Sequence, residues 1–312
     1  MQLREKVIVA NTGDDTLTFI DFKDGNKIDT LDLKDSINSS NRQTIRFHGF
    51  PIGPYDLEYN RKDCLYCTNV YDNSVLKIDL KHKKIVDIIS VGKYPTCIKY
   101  FQNKLYITNS DSNSISIVDA DEFSLIENIP VGEKPIDIEI DENNFKMYVA
   151  NSNGYSIDMI DLKGKTIETI KLDNNPVKMV IDRDQMFILA NINNSIINNS
   201  NISIMDIKTH KKKDSRVFKG IFNNMFKINS SEIIFITSMD NGYLYRMDLE
   251  KKDLLSKTYL AGMPNKLGWN GDNILFISNL STNKLILFNI NTNKIIENIE
   301  VGKEPSGILT LN

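Results

Sequence analysis

KLYITNSDSNSISIVDADEFSLIENIPVGEKP, residues 104–135, decides the fold. Short apolar runs rich in Ile, Val, Leu and Tyr are separated by Asn, Asp, Ser and Gly, the composition of strands joined by tight turns. Residues 104–110, Ser114–Asp119 and Ser124–Pro130 read as three strands, and residues 96–101 just upstream read as a fourth, with Gln102 and Asn103 turning the first pair. Ser114, Ile115, Ser116, Ile117, Val118 and Asp119 alternate polar and apolar, as a half-buried strand does. No stretch of the chain shows a long, capped 3.6-residue periodicity, so the expectation is all-β.

Within this stretch Asn109 is followed ten residues later by Asp119, and then by Val131, Gly132 and Pro135. The same frame recurs around Asn11, Asn69, Asn109, Asn151, Asn191, Ser238 (replacing Asn) and Asn279. The Asp recurs as Asp21, Asp79, Asp119, Asp161 and Asp248, and the Pro as Pro54, Pro95, Pro135, Pro176, Pro264 and Pro305, with Asn223 in the sixth place. A repeat of about 40–45 residues with four antiparallel strands is the signature of a propeller blade. The frame therefore predicts one domain over residues 1–312, a seven-bladed β-propeller. Too few residues follow Pro305 to make another blade, so residues 306–311 are expected as the innermost strand of the blade that residues 7–33 begin, closing the ring through the two termini.

Tyr66, Cys67, Thr68 and Asn69, then Tyr106, Ile107, Thr108 and Asn109, then Tyr148, Val149, Ala150 and Asn151 resemble the motif that names the YVTN family of propellers. Val91, Gly92 and Pro95, Val131, Gly132 and Pro135, and Val301, Gly302 and Pro305 resemble that family's VGxxP connection, and the likeness to YncE-like bacterial proteins and to WD40-like repeats spans nearly the whole chain. The resemblance implies a binding or surface protein, with DNA binding or a location outside the cytoplasm among some members. Fold likeness of this kind does not carry an activity with it.

Composition narrows the classes. Thirty-eight basic and 41 acidic side chains leave a net charge of −3, without the basic excess that phosphate backbones select, so nucleic acid is disfavoured as a partner. Cys64, Cys67 and Cys97 are an odd set in a long chain and are expected as reduced thiols. Cys64 and Cys67 resemble a CxxC knuckle, but three residues apart on a strand they face opposite ways. The first residues read as a strand rather than a signal peptide, and no apolar run reaches membrane-spanning length. A cytoplasmic location is the default, with surface or spore-layer association as the alternative.

Two insertions interrupt the frame on one face, residues 34–50 and the Asn-rich residues 192–201, and function is sought on such loops. The first carries Arg42, Arg46 and His48 beside Tyr55 and Asp56. Two residues after each Pro lies an inner-strand position occupied by Asp56, Cys97, Asp137, Lys178, Met225, Lys266 and Gly307. Arg42, Arg46, His48, Tyr55, Asp56, Asp137, Lys178 and Lys266 are the candidate ligand or partner residues, their charges suited to a zwitterionic or phosphorylated ligand or else paired with one another. His82 and His210 fall in turns on the opposite face from His48, so no metal site and no cofactor is expected. No nucleophile elbow, P-loop or dinucleotide fingerprint is present. Lys208, His210, Lys211, Lys212, Lys213, Arg216 and Lys219 form one basic cluster, expected to be a solvated turn. The reading is a non-enzymatic scaffold that binds a protein or peptide. A lactonase- or isomerase-type enzyme acting on a small molecule is the alternative, and DNA binding ranks third.

Overall fold

The computed structural model describes residues 6–23, 25–38, 51–194, 197–251 and 253–311. Arg42, Arg46 and His48 lie outside them. The strands form seven four-stranded antiparallel sheets, the blades of a seven-bladed β-propeller. In the third blade Pro95–Phe101, Lys104–Asn109, Ser114–Asp119 and Ser124–Pro130 follow one another from inner to outer edge, within a residue of the sequence reading. The C-terminal strand Pro305–Leu311 pairs antiparallel with Lys6–Asn11, and Thr16–Asp21 and Lys27–Asp32 complete that sheet.

By packing, the chain divides into two units, Met1–Asp111 with Ser116–Asn128 and Lys266–Asn312, and Ser112–Ile115 with Ile129–Asn265. Within each, the core lies between successive sheets. In the first unit Ile8, Ala10, Leu17 and Leu33 pack against Leu57, Leu65, Cys67 and Leu76. Cys64 instead leans on the cluster of Tyr66, Ile98, Leu105 and Phe123, so the two cysteines do face opposite ways, and none of the three cysteines is in a disulfide. In the second unit Tyr148 and Met159 meet Met179 and Ile188, and Phe187 and Ile202 meet Phe222 and Ile234.

The recurring Asn has a physical role. Asn11, Asn69, Asn109, Asn151 and Asn279 end the second strand of their blades and are fully buried. The amide nitrogen of Asn69 donates to Ser74 Oγ at 2.8 Å, and that of Asn109 to Ser116 Oγ at 2.9 Å, tying the second strand to the third. The connecting glycine lies flat on this Asn: a Cβ at Gly92 would come within 2.5 Å of Asn109, and one at Gly132 within 2.6 Å of Asn151. At the place of the missing Pro, Asn223 Oδ1 accepts the Met239 N–H at 3.1 Å, and Ser238 Oγ donates to the Ile221 carbonyl at 2.8 Å.

The all-β expectation holds, the one helix among the described residues being the short Leu33–Asn38 at the start of the first insertion. Its first turn is capped by Asp32, whose carboxylate accepts the Asp35 N–H at 2.9 Å, a local device that needs no long periodicity. The Asn-rich insertion is not a loop but a lengthened hairpin, Gln185–Asn194 paired with Ile197–Asp206, in which the ladder runs on past Asn191 through Asn193 opposite Asn198.

Asp15 anchors both ends of the first insertion. Its carbonyl accepts the Leu33 N–H at 3.1 Å, its carboxylate pairs with Lys34 at 2.6 Å, and the same carboxylate accepts the N–H groups of Ile52 at 2.8 Å and Gly53 at 2.7 Å. Asp15 is 3% exposed, so Asp15→Ala leaves two main-chain donors without an acceptor where water does not reach. Each such loss costs about 1–3 kcal/mol. A lowered unfolding midpoint and faster proteolytic nicking between residues 34 and 52 are the expected outcome, and an unchanged midpoint would remove the anchor.

No helix among the described residues is long and apolar enough to cross a membrane.

Candidate ligand and partner site

The inner strands place the charged candidates. In Pro54–Tyr59 the Asp56 side chain turns toward the inner strand of the next blade, where its Oδ2 accepts the Ile98 N–H at 3.2 Å. Its Oδ1 accepts a hydrogen bond from Lys266 Nζ at 2.8 Å, and Thr68 Oγ1 accepts the Asp56 N–H at 2.9 Å. Burial pushes the Asp56 carboxyl up, but the Lys266 ammonium, helped by Lys99 and the Ile98 N–H, outweighs it and holds the group below the usual carboxylate range. Two residues on, Glu58 goes the other way: burial pushes it up, and Lys99 offsets this only in part.

Lys266 and Asp56 belong to the seventh and second blades, and the strand between them is Pro305–Leu311 of the first. Gly307 occupies the corresponding position there. A Cβ at Gly307 would stand 2.4 Å from the Tyr55 carbonyl oxygen and 3.2 Å from Ala10 Cβ. The glycine thus lets the strands close up where the ion pair forms. Ser306 Oγ adds a hydrogen bond to the Tyr55 carbonyl at 3.1 Å, and Thr12 Oγ1 donates to the Pro54 carbonyl at 2.7 Å.

The second unit repeats the arrangement. Asp137 Oδ2 accepts the Met179 N–H at 2.7 Å, and Lys178 Nζ donates to Asp137 Oδ1 at 2.7 Å and reaches Glu139 at 3.4 Å. Within each unit, then, the candidate ammonium takes a carboxylate and the carboxylate also holds the main chain of the next inner strand. Sequence spacing marked all four residues but not which would pair, since Lys266 and Asp56 lie 210 residues apart.

Tyr55 is half-buried, and burial raises its phenol to about 12. Tyr71 and Tyr94, which the sequence reading passed over, stand above it on the same face of the first unit and are 49% and 37% exposed. Both have rigid footings. The Tyr71 ring lies against Gly53, where a Cβ would come within 2.4 Å of it, and the Tyr71 N–H donates to the Ile52 carbonyl at 3.2 Å. Tyr94 has a left-handed backbone, φ 56°, and its N–H donates to Asn73 Oδ1 at 2.9 Å. Glu304 and Lys134, also in the residue before an inner-strand Pro, share that conformation, so the side chain offered there is set by the frame.

His82, His210 and much of the basic cluster are engaged locally. His82 Nδ1 lies 2.9 Å from Asp79, and His210 Nδ1 lies 3.4 Å from Glu168 with its ring edge-on to Tyr148. Lys208 pairs with Asp184 at 2.7 Å, Lys213 with Asp206 at 2.8 Å, and Arg216 donates to the Leu249 carbonyl at 3.4 Å. Among the described residues, no group of three or more His, Cys, Asp or Glu side chains is placed to hold a metal ion.

No family model matches the chain, and no curated protein matches its sequence, so the YVTN likeness remains one of motifs. Solved structures do match in shape. Hydrazine synthase from Kuenenia stuttgartiensis aligns with a TM-score of 0.73 at 16% identity, over 85% of this chain and 92% of that one. A putative 6-phosphogluconolactonase from Bacteroides fragilis aligns with a TM-score of 0.73 at 9% identity, over 99% and 98%. AztD from Citrobacter koseri aligns with a TM-score of 0.64 at 13% identity, over 98% and 97%. At these identities the likeness establishes the β-propeller fold, which enzymes and other proteins share.

Proposed function

We propose that the chain is a non-enzymatic binding scaffold whose first unit presents the face bearing Tyr71 and Tyr94 to a protein or peptide partner. The observation that carries this is two half-exposed tyrosines held on rigid footings above inner-strand charges that are already engaged. Tyr combines a large apolar face with a hydrogen-bonding tip and loses little conformational entropy when it is covered, which is why it is enriched in interface cores. The short helix Leu33–Asn38 opens the first insertion, and Arg42, Arg46 and His48 within that insertion are proposed as further partner residues. A lactonase- or isomerase-type reaction would need a carboxylate or ammonium free to exchange a proton with substrate. Asp56 and Asp137 instead accept from lysine and main-chain N–H together, which favours binding.

The test is quantitative affinity capture from the native host with the wild-type chain and a Tyr71→Ser/Tyr94→Ser variant of equal thermal stability. A partner retained by the wild type and reduced at least about tenfold by the variant is expected, the size of loss typical of aromatic interface anchors. Equal capture by both chains, or hydrolysis of a lactone panel that Asp137→Asn abolishes, would overturn the reading.

A further inference from the structure

The face opposite Tyr71 and Tyr94 carries a cavity of about 610 Å³ in the first unit, between the first and second blades. Its apolar wall is Phe19, Leu80 and Leu311, all part of the core between those two sheets or packed against it. Its rim is strongly cationic. Five lysines, Lys6, Lys27, Lys62, Lys81 and Lys83, face three carboxylates, Asp21, Asp29 and Asp63.

The pairing around the rim is uneven. Lys6 takes Asp21 at 3.0 Å, while Lys83 takes Asp29 and lies 4.9 Å from the centre of the Phe19 ring. Asp63 is held by the Asn60 amide at 3.0 Å. That leaves the ammonium groups of Lys27, Lys62 and Lys81 without an ion-pair partner among the described residues, all three on exposed residues that line the cavity, Lys62 and Lys81 from turns of the second blade. A concave site with an apolar wall and a few convergent charges of one sign is the form that small-molecule sites take, and 300–1,000 Å³ is their usual size.

From this geometry we infer that the cavity binds a small amphiphilic organic anion, its apolar body against Phe19, Leu80 and Leu311 and its anionic head between Lys62 and Lys81. The two parts contribute differently. Covering the wall removes apolar surface from water, which favours binding without regard to charge. The head group then decides which amphiphile is retained, since a cationic head would meet an unbalanced set of lysines. This site does not depend on the partner reading above, because it lies on the other face and shares none of its residues.

Isothermal titration calorimetry with decanoate tests the inference directly, with decyltrimethylammonium as the reversed-charge control. Saturable binding of decanoate at one site is expected, at least about tenfold tighter than the cation and weakened at least about tenfold in Lys62→Glu/Lys81→Glu. Those lysines are exposed, so the variant should keep the wild-type melting midpoint, and a melt of the same sample confirms that it is folded. Equal affinity for the two head groups, an unchanged affinity in the variant, or no saturable binding of decanoate would overturn the assignment. Co-sedimentation with phosphatidylglycerol vesicles in the absence of any binding to free decanoate would also overturn it, by showing a membrane surface rather than a soluble anion as the ligand.

Discussion

A chain ending at Glu304 is expected to unfold at a midpoint lower by about 10 °C or more. The eight residues removed include Pro305–Leu311, which pairs along the length of Lys6–Asn11 and covers Ile8, Val9 and Ala10, each at most 1% exposed. Ile308 is itself 7% exposed and packs with Val7, Val9 and Phe276. Losing that side chain alone removes about 1.5–3 kcal/mol of hydrophobic burial. Ser306 contributes a further hydrogen bond to the Tyr55 carbonyl at 3.1 Å. The truncation would also leave Lys6–Asn11 as an open edge, a template for association with other chains. Circular dichroism melts with light scattering read both effects. A midpoint within a degree or two of the full chain, with no rise in scattering, would show that the terminal strand contributes little to its sheet.

Lys266→Met is expected to cost about 3–5 kcal/mol at neutral pH, because it strands the Asp56 carboxylate, only 5% exposed, without its ammonium. Lys99 stays nearby and softens the loss. Asp56→Asn/Lys266→Met should recover much of it, since the charge and its partner leave together. The pH dependence has a definite sign. The folded-state pKa of Asp56 is depressed, so the stabilisation from the pair is full above the unfolded value, near 3.9, and is lost as pH falls through the folded value. Urea titrations from pH 7 downward should therefore show the gap between wild type and Lys266→Met narrowing only in the acid range. A gap that is constant with pH would assign the loss to packing of the lysine stem.

Much of this architecture is legible in the sequence because it rests on short-range rules. The Asn that ends the second strand in five blades, and the Ser or Thr and the connecting Gly that meet it, are coupled within one repeat or between consecutive ones, as in Asn109, Ser116 and Gly92. Strand boundaries follow from alternation and turn residues, and in the third blade they agree to within a residue. The two local departures from the repeat have local causes. The helix Leu33–Asn38 is too short to show a period and is recognisable only by its Asp32 cap. The stretch after Asn191 has poor strand composition, but it continues a ladder already formed by Phe187, Ile188 and Leu189, and propagation overrides propensity.

By itself the sequence determined the number of blades, the strand order within them, and the positions at which charged residues enter the inner strands. Those depend on a frame that repeats, and a repeat is visible without coordinates. Only the tertiary structure decided which charges meet. Lys266 reaches Asp56 over the Gly307 strand, and Asp15 gathers Leu33, Lys34, Ile52 and Gly53. It also decided that Tyr71 and Tyr94 remain exposed while Tyr55 is half-buried, and that Lys62 and Lys81 line a cavity. The physical reason is the same in each case: pairing and exposure depend on distances through space between distant segments, and a one-dimensional pattern carries no information about those distances beyond its own repeat.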